Sequence, residues 1–301
     1  WITLGNSQAY DLHRIQIVEY TSVYGLSFVI LIFNVLAFIL VVNLATGKWR
    51  PRAHETVIVL GMLILAYFVP WLVGELLAIR HRNKPEGRTL TVGVVQPNFD
   101  PWEKWGERSG LRFDSYRKQV ATFLGESRAL ASRKLDLIVW PETAIPIRIL
   151  LPQNFGELMA LRTQLDSIGA PVFTGLPYTR FYDSASAPVT ASRTSDPHVY
   201  YEDFNSATLL VPGQPVGQVY KKIVLVPYAE RIPYAETFRF LIEPLKWNVG
   251  IGNWGKGEDS IVFTLPLADG GQTSFAGMIC YESVYPDFVR KFVERGAQFL
   301  I

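Results

Sequence analysis

The sequence predicts an α/β domain carried behind two transmembrane helices. Three observations lead there: two long uncharged apolar runs near the start, strand-like and helix-like segments alternating from Thr89 onward, and a composition that leans towards the membrane. Of 301 residues, 49% are hydrophobic and only 19% charged, where typical soluble domains are about a quarter charged. The apolar excess is concentrated before Arg80, and the remainder is long enough for one large globular domain with a sizeable core.

Tyr24 to Ala45 is 22 residues without a charge, and Thr56 to Gly74 is 19 more. A bilayer core needs about 20 apolar residues per helix, so spans are expected at about 24–45 and 56–77, inside a membrane region 1–84. The link Thr46 to Glu55 carries Lys48, Arg50 and Arg52. A short basic loop reads as cytoplasmic, which puts everything after Arg80 on the opposite side. Arg80, Arg82, Lys84 and Arg88 follow the second span as closely, but large translocated domains largely ignore flanking charge.

Residues 85–301 carry the second pattern. Leu90 to Gln96 is strand-like, and Ser115 to Ser132 sets Tyr116, Val120, Phe123, Leu124 and Leu130 at helical spacing. Leu135 to Trp140 is a second strand, Leu158 to Ile168 a helix, and Ala170 to Gly175 a third strand. Ala207 to Val211, Ser260 to Leu265 and Ser274 to Ile279 add strands, Asp287 to Arg295 a helix, and the last residues begin another strand. Such alternation argues for a layered sheet. Asp183 to Pro197 is polar and small, and is expected to be an exposed loop.

Net charge is +2 with no long basic run, which argues against a nucleic-acid partner. Cys280 is the only cysteine, so no internal disulfide or cysteine-rich metal site is available. His13, His54, His81 and His198 are scattered without ligand spacing, so neither a metal nor a cofactor is predicted. The chain starts at Trp1 and stops inside the apolar run Ala297 to Ile301, so a piece of a longer protein, truncated at both ends, is expected.

Three residues stand out as candidates for chemistry. Glu142 follows the strand LDLIVW in WPETAIP, and the end of a buried strand is a common place for an α/β site. Alone, it reads equally well as a surface-turn acid. Lys221 and Lys222 enter an apolar strand-like run, where a lysine is usually a solvated edge residue. Cys280 falls where the strand SFAGMI ends, although a free cysteine is most often a small buried hydrophobe.

Their order changes the reading. Glu142, Lys222 and Cys280, each at a strand end, resemble the Glu-Lys-Cys triad of the nitrilase (carbon-nitrogen hydrolase) superfamily. WPETAIP, YKK…LVPYAE and CYES, joined to two preceding spans, are similar to the bacterial apolipoprotein N-acyltransferases. YTSVYGLSFVILIFN and QPNFDPWEKW extend the likeness over nearly the whole chain, with Trp105 matching a tryptophan near the family's site. The resemblance implies an αββα sandwich facing the periplasm from the inner membrane of a bacterium. It further implies a phospholipid acyl donor and a diacylglyceryl-modified apolipoprotein acceptor. Glu230, eight residues after Lys222, matches the family's second glutamate, while Glu282 and Tyr281 match residues associated with the site.

The chemistry is consistent with those roles. A thiol must lose its proton to attack an ester carbonyl, and Glu142 is the candidate base. Lys222 supplies positive charge for the oxyanion. Successive strand residues point to opposite faces, so only one lysine of the pair can face Cys280. The family pattern selects Lys222 and turns Lys221 to solvent. Two rivals are a membrane-tethered amidase for small amides and a non-catalytic scaffold with the same fold.

Overall fold

The computed structural model describes residues 3–46, 53–83, 87–100, 112–231 and 254–301. The chain divides into two compact units, Trp1–Arg88 and Thr89–Ile301. The first holds two short 3-10 turns followed by helices α1 (Val18–Thr46) and α2 (Ala53–Arg82). Both are longer than the uncharged runs. At 1.5 Å per residue α2 reaches about 45 Å, and α1, whose backbone breaks at Ser22, reaches about 36 Å beyond the break; each is enough to cross a hydrocarbon core of about 30 Å. Phe28, Leu31, Val35 and Phe38 on α1, and Val57, Ile58, Leu65 and Phe68 on α2, are all exposed. Helices apolar on every face and left uncovered are suited to lipid rather than water. At the ends the chemistry turns polar: His81 pairs with Glu19 at 2.9 Å, and Arg82 with Glu75 at 2.9 Å. The basic link Lys48 to Arg52 lies outside the described residues.

The second unit is built on two sheets. The larger contains β1 (Val92–Val94), β2 (Leu137–Val139), β3 (Val172–Asp183), β4 (Ser192–Arg193), β5 (Val199–Leu210) and β6 (Val219–Lys221). Its order is β1-β2-β3-β5-β4, with β6 also pairing with β5. The first two pairings are parallel, while β3 and β5 run antiparallel over their full length, from Val172 opposite Leu210 to Asp183 opposite Val199. The smaller sheet joins β7 (Phe263–Pro266), β8 (Gln272–Ala276) and β9 (Phe299–Leu300).

Alternation along the central strands sends side chains to two cores. Ile138, Val172 and Leu210 join Tyr116, Phe123, Leu161 and Leu165 from helices α3 (Arg112–Ala131) and α4 (Phe155–Ile168). Their neighbours Leu137, Phe173 and Leu209 turn the other way, onto Phe263, Leu265 and Phe275 of the smaller sheet. Helix α5 (Pro286–Glu294) adds Phe288 and Phe292 to that second core. The result is a mixed α/β sandwich with both faces of the central strands buried, as parallel strands require.

Two expectations need correction. The segment Asp183 to Pro197 is not simply an exposed loop. It folds back as β4 onto Tyr200 and Tyr201, and it buries Thr190 at 4% exposure against Glu202. The long β3–β5 arm, rich in aromatic residues, provides the edge that it covers. The strand-like run after Lys221 is also absent: β6 stops at Lys221, and residues 223–226 are irregular.

The turn after β2 sits directly on β3. Trp140 N–H donates to Phe173 O at 2.9 Å, and Ile145 N–H to Gly175 O at 3.1 Å. A Cβ on Gly175 would lie 2.4 Å from Thr143 N and 2.9 Å from Glu142 Cα. These are backbone atoms, so the glycine is needed for Glu142 to sit where it does. Gly175→Ala is therefore expected to cost about 1–3 kcal/mol of stability and to displace Glu142. Urea denaturation checks the stability loss, and an unchanged midpoint would contradict it.

Candidate active site

Three segments bring charged side chains together. Glu142 stands on the turn between β2 and α4, next to Thr143, whose φ is +49°. Lys222 is the residue after β6 and is fully buried. Glu230 comes from the turn that follows. The Lys222 ammonium is 2.8 Å from Glu230 Oε1 and 3.9 Å from Glu142 Oε1. The first is a hydrogen bond and the second is only an ion-pair distance.

A buried ammonium needs a paired anion, and removing the partner of a buried pair typically costs about 3–5 kcal/mol. Glu230 meets that need and also ties its own turn, because its Oε2 accepts the N–H of Val226 at 2.8 Å. Lys222 is fixed along its main chain as well. Its N–H donates to Asn205 O and its carbonyl accepts Gly257 N–H, both at 2.8 Å. Position 257 must be glycine for this approach, since a Cβ there would meet Lys221 O at 2.0 Å.

Sequence reasoning missed Asn205 entirely. From β5 its Nδ2 donates to Glu142 Oε1 at 2.6 Å and approaches Glu230 Oε1 at 3.3 Å. One signal was present: asparagine is disfavoured in strands, yet Asn205 sits among the buried polar residues Ser206 and Thr208 in the middle of one.

The two lysines diverge as adjacent strand residues should. Lys221 does not point to open solvent, however. Its ammonium lies over the rings of Tyr178 and Phe204, 5.7 and 5.6 Å from their centroids. It also lines a polar cleft of about 490 Å³ with Arg180, Glu202, Arg231 and Lys256. Cation–π attraction to the arm's aromatic residues accounts for the difference.

Cys280 is exposed and opens a 3-10 turn, Cys280–Val284, four residues beyond the end of β8. Its φ of +53° is a left-handed conformation that L-residues adopt at a cost. Glu282 holds the turn in place. Its Oε2 accepts Ile279 N–H at 2.9 Å, and its Oε1 accepts Tyr220 O–H at 2.7 Å, Ile223 N–H at 2.7 Å and Val224 N–H at 3.0 Å. Burial, with Glu282 beside it, pushes the Tyr220 phenol far above its ordinary range, so it remains a donor. Glu282 thus ties the Cys280 turn to the residues immediately after Lys222.

Tyr281 is buried, with its hydroxyl bonded to that of Tyr285. Trp105 lies outside the described residues. Among the described residues, no group of three or more His, Cys, Asp or Glu side chains is arranged to hold a metal ion.

The sequence matches a known family. The profile of the carbon-nitrogen hydrolases covers residues 91–301, and the chain belongs to that family. It is similar to the apolipoprotein N-acyltransferase of Chlorobaculum tepidum, with 37% identity over all of this chain and 54% of the relative. The protein of the same name from Geobacter metallireducens is 28% identical over all of this chain and 51% of its own length. The chain therefore spans about half the length of the curated relatives it matches. Among solved structures, an amidase from Nesterenkonia sp. is similar at 16% identity and a TM-score of 0.41, over 72% of this chain and 65% of that one.

The site generates a prediction about Glu282. In Glu282→Gln an amide NH₂ replaces one of two acceptor oxygens, leaving a buried donor unpaired or two donors opposed. A loss of about 1–3 kcal/mol is expected, with altered alkylation of Cys280 by iodoacetamide. Thermal melting and alkylation rates measure both, and wild-type behaviour in each would rule out the clamp.

Proposed function

We propose that this chain carries the reacting groups of an apolipoprotein N-acyltransferase, held at a bacterial inner membrane by α1 and α2 with the second unit on the periplasmic side. The observation that carries the reading is the cluster of Glu142, Lys222 and Glu230, joined through Glu282 to the exposed Cys280 turn. The similarity to N-acyltransferases over the whole of this chain supports the choice of substrates.

In this reading, Glu142 accepts the Cys280 thiol proton as Sγ attacks the ester carbonyl of a phospholipid. The carbonyl electrons move onto oxygen, where the Lys222 ammonium stabilises the charge. Collapse breaks the ester C–O bond, and Glu142 returns its proton to the departing lysophospholipid, leaving a thioester. The α-amine of a diacylglyceryl-cysteine then attacks the thioester, loses a proton to Glu142 and expels the Cys280 sulfur, which takes the proton back. Glu142 suits such two-way proton traffic because its side chain is 37% exposed. Lys222 suits a fixed electrostatic role because its side chain is 1% exposed. Lipid substrates explain the apolar helices, since each CH₂ drawn into water costs about 0.8 kcal/mol.

Four variants test this together in the full-length protein, with thioester formation as the readout. Cys280→Ala is expected to form none. Glu142→Gln should slow formation by roughly 10²–10⁴-fold and Lys222→Ala by roughly 10²–10³-fold. Lys221→Ala, on the opposite face, should stay near the wild-type rate. A dead Lys221 variant beside a working Lys222 variant would reverse the assignment.

A further inference from the structure

Asn205 occupies the point where the charged side chains meet. It is 3% exposed, and its amide Nδ2 lies 2.6 Å from Glu142 Oε1 and 3.3 Å from Glu230 Oε1. Its main-chain carbonyl accepts the Lys222 N–H at 2.8 Å. One residue therefore touches all three members of the cluster, while Lys222 itself reaches only Glu230 at hydrogen-bonding distance.

The other end of the side chain is unusual. Oδ1 is buried and finds no hydrogen-bond partner among the described residues. Buried acceptors are nearly always satisfied, so this orientation needs a reason. Turning the amide over would set Oδ1 against two carboxylate oxygens, replacing two attractive contacts with repulsive ones. The carboxylates dictate which way the amide points, and the orphaned oxygen is the consequence.

We infer that Asn205 is a positioning residue: its amide aims the Glu142 carboxylate and holds it in register with Glu230 around Lys222. The inference rests on the reading of Glu142 as the proton acceptor. Glu142 is the more exposed of the two carboxylates and lies beyond hydrogen-bonding distance of Lys222. The charge-assisted bond from Asn205 supplies direction as well as attraction. A carboxylate displaced by about 1 Å loses roughly 10²-fold in rate.

The test uses the full-length protein in detergent and a phospholipid with an alkyne-tagged acyl chain. The rate of label capture on Cys280 is measured for wild type, N205A, N205D and E142Q across mildly acidic to mildly alkaline pH. N205A is expected to fall roughly 10²-fold with the KM for the lipid unchanged. N205D keeps the size of the side chain, but its carboxyl can donate only when protonated. Facing Glu142, Glu230 and Lys222, it should show a deficit relative to wild type that deepens as pH rises. A purely structural loss would be flat with pH, and melting temperatures identify any variant that fails to fold. N205A at the wild-type rate, or a pH-independent deficit in folded N205D, overturns the inference. If E142Q also captures label at the wild-type rate, the proton-acceptor reading fails with it. If E142Q is dead while N205A is unaffected, only the positioning role is lost.

Discussion

The buried ammonium of Lys222 is the constraint around which the second unit is arranged. A charge with 1% of its side chain exposed cannot be left alone in a low-dielectric interior. Glu230 must therefore turn back to meet it at 2.8 Å, and that return folds the irregular segment 223–230. The same lysine is held by its main chain between Asn205 on β5 and Gly257, between the cleft-lining residues Lys256 and Glu258. Three stretches that are distant in sequence converge because one cation has to be paired. Glu142 completes the arrangement 3.9 Å from the cation, with its side chain 37% exposed.

Three glutamates share this region, and their surroundings give them different capacities. Glu142 has a side chain 37% exposed, Glu230 is at 15%, and Glu282 is fully buried. The first is the most exposed of the three. The second is committed to a cation, and the third to four donors, three of them backbone amides. Identical chemistry is divided into a part-exposed carboxylate, a counter-ion and a clamp by packing alone, as paired carboxylates elsewhere are separated by environment. Glu282 also offsets the left-handed backbone at Cys280, since it bonds the residue just before that turn.

Much of this was legible in the sequence, for identifiable reasons. The two apolar runs and the alternation of strands with helices follow from periodicity, which survives without tertiary information. Glu142 was visible because a carboxylate after a buried strand is a local signal. The choice of Lys222 over Lys221 came from the family pattern, and the structure buries Lys222 while leaving Lys221 half-exposed. The rest depended on contacts between distant segments. Asn205 acts through partners 63 and 25 residues away. Thr190 looked like part of a polar loop because Glu202, which buries it, lies across a hairpin. Lys221 was assigned to solvent because nothing local announces Tyr178 and Phe204 beneath it. The end of β6 at Lys221 is likewise set by Glu282 capturing the next two free backbone amides, and not by any strand-breaking residue.

The central claim is that Cys280 carries the acyl group between two lipids. Intact-mass spectrometry of the full-length wild-type protein, after incubation with a phospholipid of defined acyl length, tests it most directly. The account predicts one added acyl mass, mapped to the Cys280 peptide, released by hydroxylamine and discharged by a diacylglyceryl-cysteine peptide. An unmodified Cys280 after incubation, or an acyl group found on another residue and competent for transfer, would contradict it.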